Sequence, residues 1–184
     1  MEKQQKINSG FINQTSIKCQ KCSLFNSCLP KSLTNPELEI FENSLQQNPP
    51  LEEGRHLFIS GDKLNSLFII RNGSCLSYSH SGGDALHSNS RYFSSGKILG
   101  LNAIAGGFHP TSTKTNEISS FCEISYHVLI SLCFKLPSLQ KQLITMTNIE
   151  ISEDQSSSYI FFKKTADNQR FNFLQTKDKR VQIK

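Results

Sequence analysis

Residues 54–74 read GRHLFISGDKLNSLFIIRNGS. Two short apolar segments, Leu57 to Ile59 and Leu67 to Ile70, are each followed by a glycine at a turn position, Gly61 and Gly73. Brief apolar runs bounded by Gly, Asp and Asn are the signature of strands joined by tight turns. The same texture continues outward, with further segments at Cys75 to Tyr78, Arg91 to Phe93, Ile98 to Leu101 and Phe121 to Ile124. Gly82, Gly83, Gly96, Gly106 and Gly107 punctuate them. Many short strands with regular turns predict a sandwich, roll or barrel between Leu51 and about Ser125.

On the N-terminal side, Thr34 with Glu37 three residues on, Pro36 near the first turn and apolar Leu38, Phe41 and Leu45 predict a short amphipathic helix over 33–45. Residues 1–30 ahead of it read as a polar arm. Such an arm lacks the apolar surface to order itself, so whatever it binds is expected to supply the ordering energy. Three cysteines lie in it, Cys19, Cys22 and Cys28, and a fourth, Cys122, waits in the last strand segment. Four thiols gathered on one point make a metal or iron–sulfur site. Cys75 beside Leu76, and Cys133 between Leu132 and Phe134, read instead as small buried hydrophobes.

After His127 the period changes, and Leu129, Leu132, Leu136, Leu139, Leu143 and Met146 recur at spacings of three and four, with Pro137 marking a second helix start. An offset stripe runs through Ile144, Thr147, Ile151, Asp154, Ser158 and Phe161. A helix with two stripes needs two neighbours. One stripe can pack on the strands, and the other predicts pairing with the same helix of a second subunit, a homodimer. Asp154 would then face its twofold mate, where like charges about 4 Å apart cost about 1 kcal/mol in water and about 4 kcal/mol at an effective dielectric of 20.

With 184 residues the chain suits one main domain plus appended elements. The expected division is an arm at 1–30, a strand domain with its leading helix at 31–128, a dimerisation helix at 129–165 and a basic tail at 166–184. The net charge of +5 owes much to Lys163, Lys164, Arg170, Lys177, Lys179, Arg180 and Lys184 near that end, which favours phosphate contacts only weakly. No apolar run at the N-terminus resembles a signal peptide or membrane span, so a cytoplasmic protein without membrane contact is expected. In a reducing cytosol the six cysteines are not a disulfide framework. The five histidines show no paired helical spacing, His109 before Pro110 reads as a turn residue, and no nucleophile elbow or phosphate-binding glycine loop occurs. An enzyme is not expected.

The element order resembles the Crp/Fnr superfamily of transcription regulators, and the Fnr branch in particular. The stretches that carry the resemblance are CQKCSLFNSCLP at 19–30, residues 54–74, GKILGLNAIAGGFHP at 96–110, FCEI at 121–124, and KLPSLQKQLITM with the later SEDQ and KK. The resemblance spans about residues 15–170. It implies a mainly β fold with α, a cyclic-nucleotide-binding-like β-roll (a double-stranded β-helix) followed by a long dimerisation helix. It implies an oxygen-labile [4Fe-4S] cluster on Cys19, Cys22, Cys28 and Cys122, whose loss separates an active dimer into monomers. Zinc suits four thiolates equally well, and spacing alone leaves the two open. Lys18 and Lys21 could offset thiolate charge, and backbone N–H groups at Ser23 to Ser27 could bond the sulfurs.

The family's nucleotide-binding members place an acid and an arginine in the segment matching Gly96 to Thr115. Here that segment has neither, only Lys97 and Lys114, so cyclic AMP is not an expected ligand. The intact family continues into a helix-turn-helix head and works with DNA and RNA polymerase. After about Phe173 this sequence has no paired amphipathic helices, so the head is expected to be missing and no DNA-binding residue is assigned. A premature end in a degraded gene is the favoured account. The others are a shortened chain, or a short regulator that pairs as a heterodimer with a full-length paralogue. The rival from another class is a zinc-bound or metal-free roll acting only as an interaction module.

Overall fold

The computed structural model describes residues 18–79 and 90–152. Three 3-10 turns, Cys19–Lys21, Phe25–Ser27 and Leu29–Ser32, lead into helix α1 (Asn35–Glu42). Eight strands follow: β1 (Gln46–Gln47), β2 (His56–Phe58), β3 (Ser66–Asn72), β4 (Ser74–Tyr78), β5 (Ser90–Ser94), β6 (Ile98–Leu99), β7 (Ser112–Thr115) and β8 (Ser120–Ser125). Helix α2 (Tyr126–Lys135) comes directly after β8, and helix α3 runs through the described residues 137–152.

The strands form two antiparallel four-stranded sheets, ordered β1-β8-β3-β6 and β2-β7-β4-β5. Phe58, Ile70, Cys75, Phe93, Leu99 and Phe121 fill a core that joins the two. A larger core includes Leu67, Ile69, Ile98 and Ile124 from the first sheet, with Phe41 of α1, Leu129 of α2 and Leu139 and Leu143 of α3. Alternate residues of β3 therefore serve different cores, Ile70 one and Leu67 and Ile69 the other. That is why LFII is continuously apolar rather than alternating.

Local chemistry sets the element ends. At α1, the backbone N–H and the hydroxyl of Thr34 both donate to Glu37 Oε2 at 2.8 Å, which holds the Glu37 carboxyl below its ordinary range. Between α2 and α3, Leu136 sits at φ −125, ψ 86, out of the helical region as the residue before a proline must be. The predicted helix break at Pro137 follows from this. At the β3–β4 turn Gly73 has φ +90, and a Cβ there would lie 2.2 Å from Ser119 Oγ, so both its backbone angle and its neighbour exclude a side chain.

The structure corrects or extends three expectations. The stretch 18–30 does bury apolar surface of its own: Leu29 is 1% exposed and Pro30 is also buried. Burying one such leucine is worth about 1.5–3 kcal/mol, so this part of the arm is tied to the roll before any ligand is considered. His109 lies between strands, as a turn residue would, and is also buried. It is 3% exposed, stacked on Phe58 with ring centroids 3.7 Å apart, and burial lowers its pKa. Two strands are additional to those expected, β1 and β7, both built from polar residues.

Candidate metal centre

The i to i+3 bonding of the arm links one cysteine to the next. Cys22 N–H donates to Cys19 O at 3.0 Å, Phe25 N–H to Cys22 O at 3.1 Å, Cys28 N–H to Phe25 O at 3.2 Å and Lys31 N–H to Cys28 O at 3.3 Å. Ser27 N–H likewise donates to Leu24 O at 3.0 Å. The amides of Phe25 and Ser27 are thus committed to carbonyls and not to sulfur, two of those expected to serve the thiolates. It is the Leu29 N–H that bonds Cys28 sulfur.

Glu42, at the end of α1, fixes the start of the arm. Its Oε1 accepts from Cys19 N–H at 2.6 Å and its Oε2 pairs with Lys18 Nζ at 3.2 Å. Lys18 is therefore engaged with a carboxylate rather than held for the thiolates. Leu24 Cδ2 and Ser27 Oγ each lie 3.7 Å from where a Cβ on Gly96 would be, so the arm also rests on the β5–β6 turn.

The fourth sulfur comes from the sheet. Cys122 in β8 stands opposite Gln47 of β1 and Ile69 of β3. All four cysteines, Cys19, Cys22, Cys28 and Cys122, line one cavity with the apolar side chains of Leu24, Phe25, Phe41, Leu45 and Ile69, and with Arg71. The sequence pattern drew attention to the four thiols but not to Arg71, Gln47 or Glu42, whose relevance depends on strand register and on the end of α1.

The sulfurs influence one another. Burial pushes the Cys19 thiol up to about 12, with Glu42, Cys28, Cys122 and Cys22 adding to the rise. Cys28 is pushed up to about 11 by burial, relieved by the Leu29 N–H and raised again by Cys122 and Cys22. Burial also raises Cys122, against the opposing Arg71 guanidinium and with Cys22 adding to it. A set of thiols that disfavour each other's ionisation is a set whose thiolates a cation stabilises.

Among the described residues, no three His, Cys, Asp or Glu side chains are closed round a point in the manner of a formed ion site. The sulfurs share a cavity without yet converging on its centre. That cavity is about 30 Å³, room for roughly two water molecules. The donor set itself, four thiols without a carboxylate or imidazole in the lining, is that of a zinc or iron–sulfur centre. It fits either group by chemistry. Cys75 and Cys133 lie elsewhere, buried at 0% and 6% exposure.

Of the residues expected at a pairing surface, Ile144 and Ile151 are 54% and 49% exposed. Thr147 is half-buried, its hydroxyl donating to Leu143 O at 2.9 Å. Leu139 and Leu143 of the other stripe are buried. Asp154 and Ser158 lie outside the described residues. Among the described residues no helix is long and apolar enough to cross a membrane.

The architecture, two antiparallel sheets with helices leading and following, is that of a cyclic-nucleotide-binding-type roll. Solved structures share it: Thermus thermophilus Catabolite Activator Protein at TM-score 0.58 and 18% identity, over 72% of this chain and 62% of that one. A putative cyclic nucleotide-binding protein from Geobacter metallireducens superposes at TM-score 0.56 and 15% identity, over 68% and 89%. At those identities the likeness establishes the fold.

The sequence comparison is more particular. Over 161 residues, 86% of this chain, it is 33% identical to the Fumarate and nitrate reduction regulatory protein of Vibrio cholerae serotype O1 and 32% identical to that of Escherichia coli K12. The chain is a homologue of these regulators. It spans 63% of the length of either relative. No family model matches it.

Proposed function

We propose that this chain is the sensing and pairing part of an Fnr-type transcription regulator in the cytoplasm, with Cys19, Cys22, Cys28 and Cys122 holding a [4Fe-4S] cluster. The observation that supports this reading is the single cavity lined by all four thiols, three of them raised first by burial and further by neighbouring thiols. When bound, such a cluster supplies oxygen-labile iron–sulfide chemistry. The protein's own part is to hold the arm against β8. Leu29 and the Glu42 contacts tether the arm, and Cys122 lies three residues before the end of β8, after which α2 begins at once.

Were the four sulfurs to hold such a group, it would tie the arm to β8, which runs directly into α2, so that order at the site would bias how α2 packs. The exposed Ile144 and Ile151 with half-buried Thr147 form the proposed seam with a second subunit, to which Asp154 and Ser158, outside the described residues, are assigned by sequence spacing. A pairing equilibrium within a few kcal/mol of balance is what such a bias can shift. No residue of the roll is assigned to DNA reading. A cyclic phosphate does not enter, since the Gly96 to Thr115 segment offers no arginine and Lys114 Nζ lies 5.7 Å over the Tyr78 ring.

One observation favours a second reading, a zinc-bound interaction module: the cavity has the scale of a single ion rather than of a cubane. Anaerobic purification with iron, sulfide and zinc analysis separates the two. A brown protein with about four irons per chain that bleaches in air and loses its dimer supports the sensor. A colourless protein with one zinc per chain, indifferent to air, replaces it with the second reading.

A further inference from the structure

Arg71 brings a guanidinium to the thiol cavity, and strand register explains how. On β3, Ile69 pairs with Cys122 and Ile70 with Phe121, but the next pair is Asn72 with Ser120. Two residues of β3 are spanned by one step of β8, so Arg71 is the extra residue of a β-bulge. Bulges bend a strand and re-aim a side chain. Ile69 and Arg71 both line the cavity that holds Cys122.

Arg71 is also under-used there. Among the described residues its one hydrogen bond to a side chain is from Nη1 to Gln47 Oε1 at 3.5 Å, the long limit for such a bond. The ion pairs recorded among those residues are Lys18 with Glu42 and Arg91 with Glu150, neither involving Arg71. Lys18, beside the first ligand, is occupied by Glu42. A partly buried guanidinium has five donors and a fixed positive charge, and leaving them without an anion is costly. Four thiolates around a divalent metal or a divalent cluster core carry a net charge of about −2, delocalised over the sulfurs.

We propose that Arg71 is the counter-charge of the centre, a positioning residue whose guanidinium stabilises the anionic metal–thiolate assembly from the β3 side and raises its reduction potential. This rests on the four cysteines binding a metal group; the stabilisation applies to iron–sulfur and zinc alike, and the effect on potential to iron–sulfur. Gln47, opposite Cys122 on the other flank of β8, would steady the guanidinium without supplying charge.

The test uses the full chain with Arg71→Gln, Arg71→Lys and Gln47→Ala, purified anaerobically. Two quantities are measured: Co2+ affinity of the metal-free reduced protein from thiolate-to-cobalt absorption, and the midpoint potential of the iron–sulfur form where one is isolated. Arg71→Gln keeps an amide able to reach Gln47 but loses the charge, and is expected to weaken Co2+ binding about 10–100-fold, the usual scale for outer-sphere partners, and to lower the potential. Arg71→Lys is expected within severalfold of wild type, and Gln47→Ala within about twofold. Wild-type affinity in Arg71→Gln overturns the inference, as does an Arg71→Lys protein as weak as Arg71→Gln. If Arg71→Gln does not fold, a tenfold loss in Gln47→Ala overturns it by showing that strand pairing is what matters, whereas a Gln47→Ala protein at wild-type affinity supports it. A wild-type chain that takes up neither Co2+ nor iron defeats the parent reading and this one together, an outcome distinct from the rest.

Discussion

Cys75 and Cys19 have thiols pushed up to the same level, about 12, mainly by burial in both, but at Cys19 with neighbouring charges added. Cys75 lies in the core between the sheets at 0% exposure, beside Phe93 and Phe121, and burial alone raises it. Cys19 is raised by burial and then by Glu42 and the three other arm and β8 thiols. Desolvation by apolar neighbours is relieved only by unfolding. Repulsion among thiolates is relieved by any soft cation placed between them. The first region is therefore inert and the second is poised for a metal, although a count of raised thiols would treat them alike.

The largest expected effect separates the two regions outright. Cys122→Ser should abolish stoichiometric metal in the anaerobically purified protein, while Cys75→Ser should keep it; metal analysis of both variants checks this, and the reverse pattern would overturn the assignment. Next comes Phe41→Ala. Phe41 is fully buried, lines the thiol cavity and belongs to the core that holds Leu29, so a loss of about 3–5 kcal/mol in urea unfolding is expected. Cys75→Ser comes third, at about 1–3 kcal/mol, because it buries a hydroxyl where no partner is at hand. An unfolding midpoint indistinguishable from wild type would show that the inter-sheet core is less dry than its composition implies.

The same contrast explains what the sequence disclosed. The apolar strands were legible because burial on one or both faces writes itself in Val, Ile, Leu and Phe. β7 was not, because STKT contains no aliphatic residue. Its inner positions are filled by Thr113 and Thr115, each 1% exposed, and Thr115 is satisfied by bonding Glu52 O and the Arg55 backbone. β1 is two glutamines held to β8, too short for any period. The thiols were legible as a set because cysteine is rare and soft. Arg71 was not, since a bulge shifts register without altering the local pattern. The burial of His109 was not legible because the X-Pro rule speaks to backbone and says nothing about a ring stacking on Phe58.

The smallest effect expected is also the most discriminating, because two terms of opposite sign meet at Glu42. Its carboxylate holds Cys19 N–H and Lys18, and it is the second cause, after burial, of the raised Cys19 thiol. Glu42→Gln keeps an oxygen for the amide but loses the charge, so the tether should weaken by about 1 kcal/mol, visible as faster hydrogen exchange at Cys19. At the same time the Cys19 thiol should ionise at lower pH, read from its alkylation rate in metal-free protein. The linkage has a definite sign. A thiol whose folded pKa is raised above 9.0 contributes stability that is complete below that value and is lost as the pH climbs toward about 12. Glu42→Gln should therefore flatten the alkaline loss contributed by Cys19 and leave that of Cys75 untouched. If alkylation of Cys19 keeps its wild-type pH profile in this variant, the charge of Glu42 does not reach the sulfur, and the distinction between the two cysteine environments narrows to burial alone.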